Sequence, residues 1–484
     1  MNIGITAYGG YVPRLRLNRQ AVVDANAWFA PGLKTYAKGE RAMCNWDEDS
    51  LTLAVEAARD CLAGATPADL AALYFASTTH PFADRQNAGV LATALQLGEI
   101  LATSDMTASQ RAGTSGLLTA LRALQGQGGS ALYVASDDRK TKAAGTAELL
   151  YGAGAAALLL GSENIIADFV GGHQIAVDFV DHYRAQNEAY DYNWEERWVR
   201  DEGYLKIVPK ALQGLFAAVD VAPGDIDHFV MPCVLRGVPQ RIAKGAGIAE
   251  AAVRDNLHGG LGETGTAHAL VMLVHALQQA KAGETILVIG WGQGCDALLF
   301  RTTDALAKLA PRSGIAGALA RRKEETNYNK YLAFNDLIVR DLSMRAETDK
   351  QTPLTTLYRN KEMLTALIGG ECTKCGTVQF PKSNVCVNPN CGEFHSQKDY
   401  RFADRTAKVV TWTADNLTFS ADPPAHYGIV QFDKGGRFMA EFTDVDVGAV
   451  DVGMSMRMMF RIKEHDTERG FKKYFWKAAP QVSG

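Results

Sequence analysis

The chain has 484 residues, 47% of them hydrophobic and 21% charged, with a formal net charge of -4. That length allows two or three domains that each bury a core, while the charge balance argues against nucleic-acid binding by bulk electrostatics. The sequence has no run of about eighteen apolar residues to span a bilayer, and MNIGITAYGGYVP lacks the charged start and long apolar core of a signal peptide, so a cytoplasmic protein is expected.

From the N-terminus to about residue 305, short apolar runs alternate with alanine-rich helical periodicity. SLTLAVEAARDCLA reads as a helix and LYFAS (Leu73 to Ser77) as a buried strand. GLLTALRALQG then reads as a helix, ALYVAS (Ala131 to Ser136) as a strand, HALVMLVHALQQAKAG as a helix and TILVIG (Thr285 to Gly290) as a strand. This alternation predicts an α/β fold with helices on both faces of its sheets. Before the second of these helices, TASQRAGTSGLL (Thr107 to Leu118) reads as a strand end turning into a helix start, where α/β enzymes often display a nucleophile, yet it offers Gln110 and Arg111. YGAGAAALLLG (Tyr151 to Gly161) and GWGQGCDALLFR (Gly290 to Arg301) are each a glycine-rich turn feeding an apolar strand, and we read them as equivalent points of an internal duplication.

Residues 306–365 form a charged helical stretch without the earlier strand rhythm, read as a connector. Beyond it, ECTKCGTVQFPKSNVCVNPNCGEFH carries two cysteine pairs, Cys372 with Cys375 and Cys386 with Cys391, each followed by a glycine that permits a tight turn. Four thiolates at such spacing fit a closed tetrahedral zinc site, structural because no coordination position is left for substrate. Strand-like alternation in KVVTWTADNLTF, YGIVQFD, RFMAEFTD and MSMRMMFRI then suggests a small β-barrel.

Set side by side, these features resemble two known modules. FASTTHPFADRQNAGVLATALQLG, SQRAGTSGLLTAL, ELLYGAGAAALLLG, VPQRIAKGAGI and GETGTAHALVML make residues 1–305 similar to the thiolase superfamily, especially its hydroxymethylglutaryl-CoA synthase and ketoacyl synthase III branch. The C-terminal part resembles the zinc-ribbon and OB-fold proteins that accompany thiolase-like enzymes acting on acyl-CoA. The resemblance implies a duplicated five-layered αβαβα fold with halves at about 1–165 and 166–305, the connector, a zinc ribbon at 366–398 and an OB-fold domain at 399–484. It also implies a coenzyme A thioester as substrate and a homodimer.

Members of that branch work with a glutamate, a cysteine and a histidine. The resemblance places Thr78 at the glutamate's position, Gln110 at the cysteine's, Pro232 at the histidine's, and Glu263 where an asparagine is expected. A glutamine cannot form an acyl-enzyme, so any carbon–carbon step has to proceed without one. The candidate replacements are Glu263 with His258 and His268 for proton removal, Tyr151 as a donor or base, Cys233 as a displaced nucleophile, and Gln110 as a hydrogen-bond donor to an enolate or oxyanion. Against these stand a buried inert Cys233, a packed His268, a helix-capping Glu263 and a pocket-lining Tyr151. VDFVDHYRAQNEAYDYNWEERWVRDEGY (Val177 to Tyr204) is expected to line or cover the pocket. Two functions follow: an aldolase-like lyase or acyltransferase acting on a β-hydroxy- or β-ketoacyl-CoA, or a non-catalytic partner of a second thiolase-like subunit.

Overall fold

A computed structural model describes residues 2–481; residue 1 and residues 482–484, the outer ends of the expected domains, lie outside the described residues. The chain divides into two units. The first comprises residues 2–45, Asp49–Gly89 and Glu99–Leu337, the second Trp46–Glu48, Val90–Gly98 and residues 338–481.

The strands of the first unit, in chain order, are β1 (Gly4–Tyr11), β2 (Leu15–Asn18), β3 (Glu40–Ala42), β4 (Leu70–Ala76), β5 (Ala102–Met106), β6 (Ser130–Asp138) and β7 (Ala153–Gly161). They continue with β8 (Ala167–Ala176), β9 (His182–Tyr183), β10 (Tyr192–Asn193), β11 (His228–Val230), β12 (Thr285–Trp291), β13 (Gly294–Thr302) and β14 (Lys323–Glu325). One mixed sheet runs in the order β11-β12-β13-β8-β1-β7-β6-β4-β5. Its two halves repeat one pattern. Outward from β1, β7 is antiparallel to β1, β6 antiparallel to β7, and β4 parallel to β6. Outward from β8, strands β13, β12 and β11 repeat those senses. The halves join where Gly4 and Ile5 of β1 pair with Asp168 and Ala167 of β8. The two glycine-rich segments enter β7 and β13, the equivalent strands of the two halves, so the repeat read from them is the repeat of the fold.

Two helices, Ala112–Gln127 and His268–Leu277, are buried along most of their length. Their apolar residues, among them Leu117, Leu121, Leu270 and Leu273, are fully enclosed, each contributing roughly 1.5–3 kcal/mol of burial. Glycine is needed where the first of them starts: a Cβ on Gly113 would stand 2.1 Å from the Thr266 carbonyl oxygen. The helix Ser50–Leu62, also largely buried, opens with a reciprocal cap in which Asp49 Oδ1 accepts the Thr52 N–H and Thr52 Oγ1 accepts the Asp49 N–H.

The stretch read as a plain connector carries more structure than its composition suggests. Helix Gly314–Ala320 is followed by β14, which pairs in parallel with β2, and helix Tyr328–Phe334 buries Tyr328 and Tyr331 in the first unit; the division between units falls after Leu337. Strands β2, β3 and β14 are too short for a periodic signal and form because their neighbours supply the pairing.

The second unit begins its sheets with β15 (Ile368–Cys372), β16 (Val378–Gln379) and β17 (Gln397–Arg401), both outer strands antiparallel to β15. A second sheet follows, of β18 (Ala407–Asp415), β19 (Ala425–Phe432), β20 (Arg437–Glu441), β21 (Ser455–Asp466) and β22 (Phe471–Pro480). Its order is β20-β19-β18-β21-β22, every pair antiparallel, and it curls until Phe442, just past β20, pairs with Ala478 of β22. Val430, Phe432, Met458, Phe460 and Trp476 fill its core. The alternation of FKKYFWKAAP is disguised because Lys477 is buried: its ammonium lies 3.0 Å from Asp47 and 3.2 Å from Glu441. Arg461 is likewise enclosed, held by Asp47, Glu48 and Asp444 at 3.5, 3.0 and 3.1 Å.

Candidate active site

Gln110 stands two residues before the buried helix Ala112–Gln127, in the turn that leaves β5. Its side-chain amide nitrogen lies 3.0 Å from His182 Nε2. His182 belongs to the two-stranded ribbon β9–β10, where it pairs with Asn193 and Tyr183 pairs with Tyr192. Alternation puts the two pairs on opposite faces, and the tyrosines on the outer face are 54% and 55% exposed. Behind His182, Asp181 Oδ1 lies 3.1 Å from Nδ1 and Asp181 Oδ2 accepts the Trp291 indole N–H at 2.8 Å. Burial pushes the Asp181 carboxyl up, but hydrogen bonds from His182 and Trp291 outweigh it and hold the group below the usual carboxylate range. Trp291 stacks on Tyr204, ring centroids 4.2 Å apart.

A second cluster forms where β6 ends. Asp137 accepts from Ser77 Oγ (2.8 Å), from the Thr78 N–H (2.8 Å) and Oγ1 (2.9 Å), from Thr79 Oγ1 (2.9 Å) and from the Thr266 N–H (2.7 Å). Thr78 is thus engaged through both its hydroxyl and its backbone, and Arg184 binds its carbonyl oxygen. Next to this hub, Arg139 is buried, its guanidinium carbon 3.6 Å from the centre of the Tyr151 ring. Arg139 is paired with Glu263, whose other oxygen accepts the Gly265 N–H at 2.8 Å. Arg139 also lies 3.4 Å from Asp191, which Arg184 binds at 2.8 Å. Tyr151 donates to Asn193 Oδ1 at 3.0 Å, and burial, first among several causes, raises its hydroxyl above the ordinary value, so Tyr151 is a neutral donor. Gly265 has φ +59, and a Cβ there would meet Asp137 Oδ2 at 2.3 Å.

His268 opens its helix fully buried. Nδ1 accepts the Thr264 N–H at 3.0 Å, and Nε2 lies 2.8 Å from the Asn256 carbonyl oxygen, so the proton sits on Nε2. Burial lowers this imidazole to about 4, with the Arg139 charge adding to the shift against the Asn256 bond. His258 packs on it with ring centroids 4.6 Å apart and is held well below the usual histidine range first by burial and then by neighbouring charges, Arg19 and Arg139 among them. Both are therefore neutral near pH 7. Cys233 lies in the apolar cluster of Phe179, Tyr204 and Trp291, its carbonyl oxygen accepting the Asn256 side-chain amide at 3.2 Å, and burial pushes its thiol up to about 12.

The structure thus brings Gln110, Tyr151, Glu263 and Thr78 into one connected network and sets the two histidines against its Arg139 end. The ribbon and β6 contribute Asp137, Arg139, Asp181, His182, Arg184, Asp191 and Asn193, none of which the sequence patterns singled out individually. Their only signal is polar residues ending a buried strand, in SDDR after ALYVA, and a charge-rich hairpin inside an aromatic stretch.

In the second unit, the sulfur atoms of Cys372, Cys375, Cys386 and Cys391 all lie within 4.8 Å of one another, with Cys372–Cys391 at 3.9 Å and Cys375–Cys386 at 3.5 Å. Tetrahedral zinc with bonds of about 2.3 Å requires sulfur separations of this size. Gly376 and Gly392, at φ +73 and +58, make the left-handed turns that fold each pair back on itself. The donor set fits a structural zinc ion.

Residues 366–395 match the rubredoxin-like zinc ribbon domain of ChsH2, and residues 400–461 match its C-terminal OB-fold domain. The hydroxymethylglutaryl-CoA synthase of Aeropyrum pernix is 30% identical over 347 residues, an alignment covering 70% of this chain and 96% of that relative. The synthase of Methanocaldococcus jannaschii is 28% identical over 347 residues, covering 69% and 99%. Among solved structures, MvaS in complex with 3-hydroxy-3-methylglutaryl coenzyme A superposes with a TM-score of 0.57 at 21% identity, covering 69% of this chain and 91% of that one. The curacin biosynthetic pathway HMG synthase superposes at 0.59 with 16% identity, covering 83% and 100%. The fold and sites define a thiolase-superfamily chain extended by a zinc ribbon and an OB-fold. Within that class, the chain belongs to the hydroxymethylglutaryl-CoA synthase family. Among the described residues, no helix is long and apolar enough to cross a membrane.

Proposed function

We propose that the chain breaks or makes a carbon–carbon bond in a coenzyme A thioester without a cysteine nucleophile, by retro-aldol cleavage of a β-hydroxyacyl-CoA or its reverse. The observation that carries this reading is Gln110, a hydrogen-bond donor at the start of the buried helix of a synthase-family fold, where that family's resemblance calls for the acyl-accepting thiol. In a retro-aldol step a base takes the hydroxyl proton and the thioester leaves as its enolate, which donors such as the Gln110 amide stabilise. No acyl-enzyme is required. Coenzyme A enters as the carrier because the relatives named above are CoA-thioester enzymes by name.

Within this reading Glu263 and Arg139 hold the floor of the site, Tyr151 supplies a neutral donor, Thr78 fixes Asp137, and His258 with His268 form a neutral wall beside Arg139. Retro-Claisen cleavage through Cys233 is less well supported, because its thiol is buried and protonated at neutral pH. The test is to incubate the full chain with β-hydroxyacyl- and β-ketoacyl-CoA panels and identify products. Release of an aldehyde or ketone together with an acyl-CoA is expected; free acid or a new thioester from the ketoacyl panel would favour the retro-Claisen route. No product from the chain alone, combined with activity on adding a copurifying thiolase-like subunit, would sink the reading in favour of a non-catalytic partner. Light scattering on the same preparation tests the homodimer that the resemblance implies.

A further inference from the structure

The short ribbon β9–β10 carries a pair of groups that no family position calls for. The Gln110 amide nitrogen can only donate a hydrogen bond, so His182 Nε2, 3.0 Å away, is the acceptor and its lone pair points at Gln110. The imidazole proton then sits on Nδ1, facing Asp181 Oδ1 at 3.1 Å. Asp181 is fixed in turn: its Oδ1 also accepts the His182 backbone N–H at 2.9 Å and its Oδ2 accepts the Trp291 N–H at 2.8 Å. Trp291 is buried, stacked on Tyr204 and meeting Phe179 edge-on, so the carboxylate is anchored to the core rather than to a surface loop. A carboxylate that orients an imidazole whose other nitrogen faces the reaction centre is the arrangement of a general base.

We infer that Asp181 and His182 form a catalytic dyad, with His182 as the base that moves protons and Gln110 as the donor to the thioester oxygen. This rests on the reading that the chain acts on acyl-CoA. In the cleavage direction the substrate hydroxyl replaces the Gln110 amide at Nε2 and gives its proton to that nitrogen. The O–H electron pair becomes the second bond of the new carbonyl, the Cα–Cβ bond breaks, and its electron pair passes into the thioester enolate, whose oxygen accepts the freed Gln110 N–H. The proton on Nε2 then returns to Cα, giving a carbonyl compound and a shortened acyl-CoA, with no oxidant or reductant consumed. Asp181 is a positioning residue, holding the tautomer and stabilising the imidazolium.

The last of these steps can be watched without any bond cleavage. The full chain, incubated with propionyl-CoA in D2O, is expected to exchange the Cα hydrogens, followed by mass spectrometry. His182→Ala should slow exchange by about 10²–10⁴-fold, the usual worth of a general base. His182→Gln, which keeps a partner for both Asp181 and Gln110, should be equally slow and decides the matter if the alanine variant fails to fold. Asp181→Asn should lower kcat for exchange with KM unchanged. Nitrogen-15 spectra of the full chain should show His182 protonated on Nδ1. No exchange above buffer in the wild type, exchange within about threefold of wild type in either His182 variant, or protonation on Nε2 would overturn the dyad. Exchange that persists while no carbonyl product is ever released would instead sink the cleavage reading and leave the dyad standing; carbonyl release without His182-dependent exchange would do the reverse.

Discussion

At Glu263 and Arg139 the chemistry of burial decides what a single atom is worth. Arg139 is buried and has Glu263 and Asp191 as its acidic partners. Glu263→Gln leaves the guanidinium with one partner at 3.4 Å, and a loss of about 3–5 kcal/mol in denaturant unfolding is expected. Loss of activity in that variant without loss of stability would indicate instead that Glu263 itself handles protons. His268 makes a pH prediction with a definite sign. Its folded value of about 4 lies below the unfolded 6.5, so its contribution is fully present above pH 6.5 and is lost as the pH falls toward 4. The expected loss is about 3 kcal/mol, and subtracting the pH–stability profile of His268→Gln from that of the wild type isolates it. At this scale the sequence was legible only in part. Glu263 and Gln110 stand out in the sequence because a family pattern marks their positions, whereas His182 and Arg139 meet partners up to more than a hundred residues away, and no spacing rule links them.

The helix Ala112–Gln127 sets what its first turn can do. Its N-terminal end carries partial positive charge, which lowers the pKa of a thiol placed there. Gln110→Cys therefore puts a thiol beside His182 that should react with iodoacetamide well before Cys44, Cys61, Cys233 and Cys295, all of them buried. Mass mapping of the first labelled site checks this, and labelling no faster than that of the four buried thiols would show that the turn does not activate a nucleophile. The same helix has no room for a side chain at its second residue, Gly113. Gly113→Ala forces a Cβ against the Thr266 carbonyl, and a loss of about 1–3 kcal/mol is expected from the shift of denaturation midpoint. Long buried elements such as this one were legible from periodicity, since their apolar spacing is set by the core they fill. The ribbon β9–β10 was not, because two-residue strands have no period; only its aromatics stood out, and the pairing turns Tyr183 and Tyr192 outward while His182 and Asn193 face the other way.

On the scale of the whole molecule, the zinc site and the duplicated sheet were the most legible features, because each imposes a spacing on the sequence: two cysteine pairs in one case, two glycine-rich turns in the other. The division of the chain was less legible, since the connector's polar composition hides a strand and two packed tyrosines. Metal removal should act on the second unit alone in a defined way. Structural zinc in such ribbons contributes folding free energy directly. Stripping it with a strong chelator, or Cys391→Ala, should abolish stoichiometric zinc by elemental analysis and lower the protease resistance of residues 366–395; an unchanged digestion pattern after complete zinc loss would show that the strands hold the ribbon unaided.

The second unit also includes Trp46–Glu48, and with it Asp47 and Glu48, the acids that neutralise Arg461 and Lys477. In time rather than space, this means the ribosome releases those acids near the beginning of synthesis and the two cations only at its end. The barrel cannot reach its final charge balance until the whole polypeptide has emerged, so a C-terminal fragment starting at residue 338 would leave Arg461 and Lys477 short of acidic partners. The second unit is therefore assembled from separate stretches of the chain, and no single cut releases all of it.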